Sequence, residues 1–206
     1  PEVLFLKPTG TDNPEANSGE NKTGVWNANY KAVHHFQETD LDGGTGDIKD
    51  STGINNITAF TMTSEDQVSG MMDGSFEFDG TSDYLNANPI ADDVGGESFT
   101  MSTWINASDG TKNILIAFND ASYGNNFLWF IYNDVLSLHC DGIFHDATTN
   151  VTDGNWHYVT LTLDDSTGTV KYYVDGKHET GNDFTTTSRV NTNDIVSIGQ
   201  EYDDAG

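Results

Sequence analysis

The chain has 206 residues, enough for one large or two small domains, and its 33 Asp and Glu against eight Lys and Arg give a formal net charge of -25. A surface this acidic repels nucleic-acid phosphates and anionic lipid headgroups, which argues against both as partners. It also repels itself, which indicates either a solvated acidic surface suited to a salty environment, or carboxylates that bind calcium, or both.

The first 29 residues predict a lead-in segment rather than part of the main domain. A short apolar run at 3–6 is followed by a polar, turn-rich stretch, which indicates one strand and then a surface loop. The chain opens at Pro1 instead of Met, and we therefore expect it to be a piece of a longer polypeptide. Cys140 is the only cysteine, so no disulfide forms within the chain.

Residues 30–206 predict one all-β domain. Short apolar runs of strand length alternate with clusters of Gly, Asp, Asn and Ser, a pattern typical of a β-sandwich or barrel. The dipeptides Asn133-Asp134 and Asp175-Gly176 each follow such a run and tolerate the positive φ of a tight hairpin turn. The predicted strands are 31–36, 75–79, 84–87, 99–106, 113–118, 127–132, 135–140, 156–163, 170–174 and 194–198.

Four motifs in order resemble the laminin-G-like and pentraxin branch of the concanavalin A-like proteins. They are the sequences at 76–85 (FEFDGTSDYL), 98–105 (SFTMSTWI), 153–159 (DGNWHYV) and 170–177 (VKYYVDGK). The resemblance implies a two-sheet antiparallel jelly-roll β-sandwich. It further implies a module of a larger secreted or cell-surface protein that binds carbohydrate or another extracellular ligand, with a role in adhesion.

The sequence IGQEYD at 198–203 is similar to the calcium loop of pentraxins. That resemblance implies three ligands: the carboxylates of Glu201 and Asp203 and the backbone carbonyl of Tyr202. The family takes its partner ligands from a loop after an early strand, and we assign that loop to Asn119 and Asp120, whose order is the reverse of the family's. Calcium at this site requires that the fold bring the two loops together.

Two acidic pairs allow other interpretations. Asp79 and Asp83 are an alternative pair of calcium ligands, or else accept backbone N–H hydrogen bonds in a turn. Glu77 and Asp79 lie two residues apart on one strand face, as catalytic carboxylates do in glycoside hydrolases of this fold. The third carboxylate of that pattern is absent, and we therefore expect no enzyme activity.

Aromatic residues near the expected calcium loops predict a surface on which sugar rings stack. They are Tyr123, Trp129, Tyr132 and Tyr202, although Trp129 is also a candidate for the core. The sequence thus predicts calcium-dependent recognition of carbohydrate or another extracellular ligand. A structural or adhesive spacer with calcium, and a glycoside hydrolase, are the two alternatives.

Overall fold

A computed structural model describes residues 25–120 and 124–201. This part of the chain forms 14 strands and one short helix. In chain order these are β1 (Thr58–Phe60), β2 (Gln67–Ser69), β3 (Gly74–Phe76), β4 (Tyr84–Asn86), α1 (Pro89–Val94), β5 (Phe99–Asn106), β6 (Asn113–Asn119), β7 (Asn125–Tyr132), β8 (Val135–Cys140), β9 (Ile143–Asn150), β10 (Trp156–Asp164), β11 (Thr169–Val174), β12 (Lys177–His178), β13 (Phe184–Thr185) and β14 (Ile195–Ile198).

The strands form two main sheets, and all their pairings are antiparallel. The larger sheet has seven strands in the order β1-β4-β14-β6-β7-β8-β9. The smaller has the order β12-β11-β10-β5, with β13 also paired to β11, and β2 and β3 make a separate hairpin. The predicted two-sheet antiparallel β-sandwich is confirmed. No helix in residues 25–120 and 124–201 has the length and apolar character needed to cross a membrane.

The core lies between the two sheets and follows the alternation of their strands. Trp129 of β7 and Leu138 of β8 meet Leu161 of β10 and Tyr172 of β11 in one buried cluster. Successive side chains of a strand point to opposite faces, so each of these strands also has an outer face. Burial of each such large apolar side chain stabilises the fold by about 1.5–3 kcal/mol.

The hairpin turns form as predicted. Asn133 and Asp134, between β7 and β8, have φ values of 49° and 71°. Asp175 and Gly176, between β11 and β12, have φ values of 50° and 77°. Asn, Asp and Gly tolerate this left-handed backbone at low cost, so these residues set the turns and the register of the strands that flank them.

Residues 31–36 were predicted as a strand, but they make only one isolated bridge, between His34 and Asp50. In that segment the buried Asp50 carboxylate accepts the backbone N–H of Val33 at 2.8 Å, and it also accepts those of Thr52 and Asn55, farther along the chain, at 2.9 and 2.8 Å. Burial alone would raise the pKa of Asp50, but the hydrogen bonds from Thr52, Asn55 and Val33 outweigh it and lower the pKa. A side chain therefore satisfies donors that a sheet would otherwise pair.

Strand β9 was missed because its sequence is polar and mostly exposed, as suits the outermost strand of the larger sheet. Its register with β8 shifts between Ser137 and Val135, which is a β-bulge. The N–H groups of Thr148 and Thr149 in the bulge donate to Oε2 of Glu179 at 2.9 and 3.1 Å. Glu179 follows β12, so this carboxylate joins the two sheets.

Replacing Glu179 with Gln is expected to lower the free energy of unfolding by about 1–3 kcal/mol, because a buried charged acceptor of several hydrogen bonds is lost. The side chain is 8% exposed and also accepts the hydroxyls of Thr148 and Thr149. Urea denaturation of the two proteins measures the change. The same substitution at the exposed Glu97 is the control, and equal effects at both positions would contradict the role of Glu179.

His157 joins two turns of the smaller sheet. Its Nδ1 lies 2.9 Å from Oδ2 of Asp175, and its Nε2 lies 3.1 Å from Oδ1 of Asp153. Burial alone would lower the pKa of His157, but the hydrogen bonds and charges of Asp175 and Asp153 outweigh it and raise the pKa. The protonated imidazole is therefore favoured in the folded protein.

The stabilisation by His157 should be complete below its unfolded pKa of about 6.5 and should be lost as the pH rises through the folded pKa, which is higher. We expect the difference in free energy of unfolding between the wild type and His157→Gln to shrink between about pH 6 and about pH 8. Urea denaturation across this range measures it. A difference that stays constant or grows would contradict the ion-pair geometry.

Candidate functional site

The described ligands of the predicted pentraxin-like calcium site lie at two separate places, with Asn119 and Asp120 at one end of β6 and Glu201 near the other. Strand β14 runs antiparallel to β6, with Ile195 opposite Asn119. The chain after β14 therefore approaches the start of β6, where Glu201 forms an ion pair with Lys112. Asn119 and Asp120 lie at the other end of β6, about 20 Å away at the rise of an extended strand. Asn119, Asp120 and Glu201 thus do not share one ion.

The reason lies in the antiparallel pairing. In an antiparallel pair, the end of one strand lies beside the start of the other. The chain just after β6 therefore lies near the start of β14, and the chain just before β6 lies near the end of β14. Three of the predicted site residues, Tyr123, Tyr202 and Asp203, lie outside the described residues.

At its own end of β6, Asp120 lies near Asp194. The side chain of Asn126 donates to Asp194 at 3.3 Å, and the N–H of Asn191 donates to it at 2.9 Å. Burial, together with the nearby charge of Asp120, raises the pKa of Asp194. Across residues 25–120 and 124–201, no group of three or more His, Cys, Asp or Glu side chains is arranged to hold a metal ion.

Asp79 and Asp83, the alternative calcium pair, form a tight turn. The Asp79 carboxylate accepts the N–H groups of Thr81 and Ser82, both at 2.8 Å, and the Thr81 hydroxyl at 2.6 Å. Asp83 in turn accepts the N–H of Asp79 at 3.0 Å. The hydrogen bond from the Thr81 side chain is the largest of the effects that lower the pKa of Asp79. Hydrogen bonds within the turn therefore hold both carboxylates in place without a bound metal.

Two of the predicted sugar-stacking residues lie on β7 but on opposite faces of the sheet. Trp129 is 2% exposed and belongs to the core, so its ring is not available to a ligand. Tyr132 belongs to a second apolar cluster, with Leu128 and Phe130. These three residues alternate with the core residues of β7 and therefore lie on the outer face of the larger sheet.

That outer face carries a cluster of aromatic side chains from three neighbouring strands. Phe144 of β9 stacks on Tyr132 with ring centroids 5.5 Å apart and an interplanar angle of 24°. Its ring also contacts Phe130 at 5.9 Å and His139 at 4.8 Å. We call the depression here the outer-face groove, a cavity of about 250 Å³ lined by Lys112, Leu128, Phe130, Tyr132, His139, Phe144 and Glu201.

The groove combines apolar rings with charged groups. Phe144 is 54% exposed, so its ring is open to a ligand, whereas Phe130 is almost fully buried. The ion pair of Lys112 and Glu201 forms part of the lining and contributes both hydrogen-bond donors and acceptors. Such a surface suits a molecule with apolar faces and hydroxyl groups.

Sequence reasoning identified Tyr132 but missed Phe130, His139 and Phe144. The position of Phe130 could have been predicted, because the period of two along β7 puts it on the same face as Tyr132. The position of Phe144 could not, because the strand that carries it was not predicted.

Comparisons with known proteins identify the relatives of this fold. A laminin G family model, described as the Concanavalin A-like lectin/glucanases superfamily, matches residues 79–206. A search of curated proteins returned no match. Among solved structures, domain 4 of AbnA, a GH43 extracellular arabinanase from Geobacillus stearothermophilus, aligns with a TM-score of 0.58 and 18% identity over 84% of each chain.

This chain covers a smaller share of two further similar structures. The Trypanosoma rangeli sialidase aligns with a TM-score of 0.54 and 13% identity over 82% of this chain and 27% of the sialidase. A heptameric SAP-like pentraxin from Limulus polyphemus aligns with a TM-score of 0.46 and 16% identity over 53% of this chain and 55% of the pentraxin. The chain thus spans about half of that pentraxin. At these identities the likeness concerns the fold alone.

Proposed function

The chain belongs to the Concanavalin A-like lectin/glucanases superfamily, and on that premise we propose that it is a non-catalytic carbohydrate-binding module of a secreted or cell-surface protein. The observation that carries the proposal is the outer-face groove, where the exposed ring of Phe144 and the half-buried ring of Tyr132 lie beside a charged pair. The apolar face of a sugar ring stacks on an aromatic side chain, and its hydroxyls bond to polar groups.

The similar arabinanase domain was solved in complex with arabinotriose, and this supports arabinan as a first ligand to test. The extracellular assignment is likewise a proposal, supported by the same arabinanase, which is an extracellular enzyme.

The proposal assigns no catalytic role to the acidic strand residues. A retaining glycosidase needs two carboxyl groups about 5 Å apart, with one free to attack the sugar. Of the pair considered for this role, Asp79 has its carboxylate occupied by the backbone and hydroxyls of its own turn. Glu77 would have to act without that partner.

Replacing Tyr132 or Phe144 with Ala should weaken binding to immobilised arabinan or to a glycan-array ligand at least about tenfold, which corresponds to about 1.4 kcal/mol. Each substitution removes a ring surface that the proposal assigns to stacking. Ile143→Ala is the matched control, because Ile143 is 56% exposed beside Phe144 but does not line the groove. Affinity electrophoresis or calorimetry measures the change.

The result would contradict the proposal if the control weakened binding as much as the groove variants, or if the wild type bound no glycan. The same incubations should release no oligosaccharides. Release that is abolished by Glu77→Gln would contradict the non-catalytic assignment and favour the hydrolase alternative.

Calcium stays in the proposal in a narrower form. We assign a cation to the Glu201 end of β6 and β14, where calcium would have to compete with the Lys112 ammonium for the carboxylate. Tyr202 and Asp203, the other expected ligands, follow Glu201 directly in the sequence. A divalent ion there would replace Lys112 as the partner of the carboxylate and would offset part of the charge of -25.

Calcium should therefore raise the melting temperature of the wild type at low ionic strength, and Glu201→Gln should abolish that shift, because a neutral amide is a weaker ligand. Differential scanning fluorimetry with calcium and with chelator measures it. Asp120→Asn, at the opposite end of β6, should keep the shift. A shift that survives Glu201→Gln would contradict the assignment, and a shift without any glycan binding would favour the spacer alternative.

A further inference from the structure

The smaller sheet also has an outer face, and this face carries two aromatic pairs. Trp104 of β5 lies directly opposite Tyr158 of β10, with ring centroids 5.2 Å apart. Tyr173 of β11 lies opposite His178 of β12, and their rings are 5.0 Å apart at an interplanar angle of 30°. All four side chains are half-buried and keep part of their surface in solvent. We call this surface the small-sheet face.

Hydroxyl groups fill the space between the two ring pairs. Thr160 of β10 lies opposite Ser102 on one side and opposite Tyr173 on the other. The Tyr158 hydroxyl donates to Oγ of Ser102 at 2.7 Å, so this hydroxyl lies within the face. Hydroxyls both donate and accept hydrogen bonds, and they carry no charge at neutral pH.

The charge of this face differs from that of the chain as a whole. The chain has 33 acidic residues, but Asp164, at the end of β10, is the only one in β5, β10 and β11. Further carboxylates stand at the ends of the face, among them Asp183, which binds His178 at 2.6 Å and lies 3.8 Å from Lys171. Lys171 is the one Lys or Arg in β5, β10 and β11, and Asp183 offsets its charge, so the surrounding acidic groups repel a polyanion and leave a neutral ligand unaffected.

The dimensions of the small-sheet face match an extended ligand. From β5 to β12 it crosses three inter-strand spacings, which is about 14 Å. Rings stand at both ends of that path, and hydroxyls lie between them. A chain of linked sugar rings has the same alternation of apolar ring faces and hydroxyls, whereas an apolar peptide helix would leave the hydroxyls of the face without partners.

We propose that the small-sheet face is a second carbohydrate-binding surface that takes an extended run of a neutral polysaccharide. The outer-face groove lies on the other sheet, so the two surfaces are on opposite sides of the sandwich. Trp104 and Tyr173 provide the main stacking surfaces, and the ring of Tyr173, rather than its hydroxyl, supplies the contact.

The test uses the full chain with the groove disabled by Tyr132→Ala and Phe144→Ala. Retention is measured on columns of four neutral polysaccharides, namely arabinan, xylan, mannan and mixed-linkage β-glucan, with alginate as the anionic comparison. The expected result is retention on at least one neutral column and weaker retention on alginate. Adding Trp104→Ala and Tyr173→Ala should reduce that retention at least tenfold.

Three control variants are measured in the same background, and melting temperatures check that each protein folds. Tyr173→Phe keeps the ring and should keep the retention. Tyr30→Ala removes an exposed ring elsewhere and should have no effect. Tyr173→Ala alone leaves the Trp104–Tyr158 pair in place and replaces the double variant if that one fails to fold.

No retention of the groove-disabled protein on any neutral column would overturn the proposal. So would equal retention with and without the small-sheet substitutions, or tighter retention on alginate. Failure of the groove proposal would give a different result. In that case, replacing Tyr132 and Phe144 in the otherwise native chain would leave glycan binding unchanged.

Discussion

Carboxylates that accept backbone N–H hydrogen bonds hold this sandwich together where its strands are irregular. Asp50 satisfies three donors that lie outside the regular strands, and Glu179 satisfies two donors in the bulge of β9. Asp79 fixes the turn before β4, and Asp141 accepts the N–H of Thr187 beyond β13. Part of the high negative charge is therefore structural, because ionised carboxylates are stronger acceptors than neutral groups.

The register of β14 against β6 determines which loops lie close enough to bind one ligand. This one pairing separates Asn119 from Glu201 and places Glu201 beside Lys112 at the rim of the aromatic groove. The positions of the two proposed binding surfaces therefore follow from sheet order. Each lies on the outer face of one sheet, and alternation along the strands supplies its rings while the opposite faces form the core.

Much of the fold could be predicted from the sequence, because alternation and turn residues are local signals. The strands that carry the core and the turns at Asn133 and Asp175 are confirmed, as is the family resemblance. The candidate site was harder, since it depends on which distant strands pair. Local pattern cannot reveal that β14 lies between β4 and β6, and the polar sequence of β9 hides the strand that carries Phe144. The division at residue 29 stays a prediction.

The contact between Glu179 and β9 also bears on how separate copies of the chain behave. An outermost strand with open N–H groups is a template for pairing with another molecule, which leads to aggregation. In β9 the carboxylate occupies two such donors, and the side chains of Tyr172 and Asn182 bond to the carbonyls of His145 and Asp146. These contacts leave fewer open backbone groups along β9 and so disfavour fibril-like growth from this edge of the larger sheet.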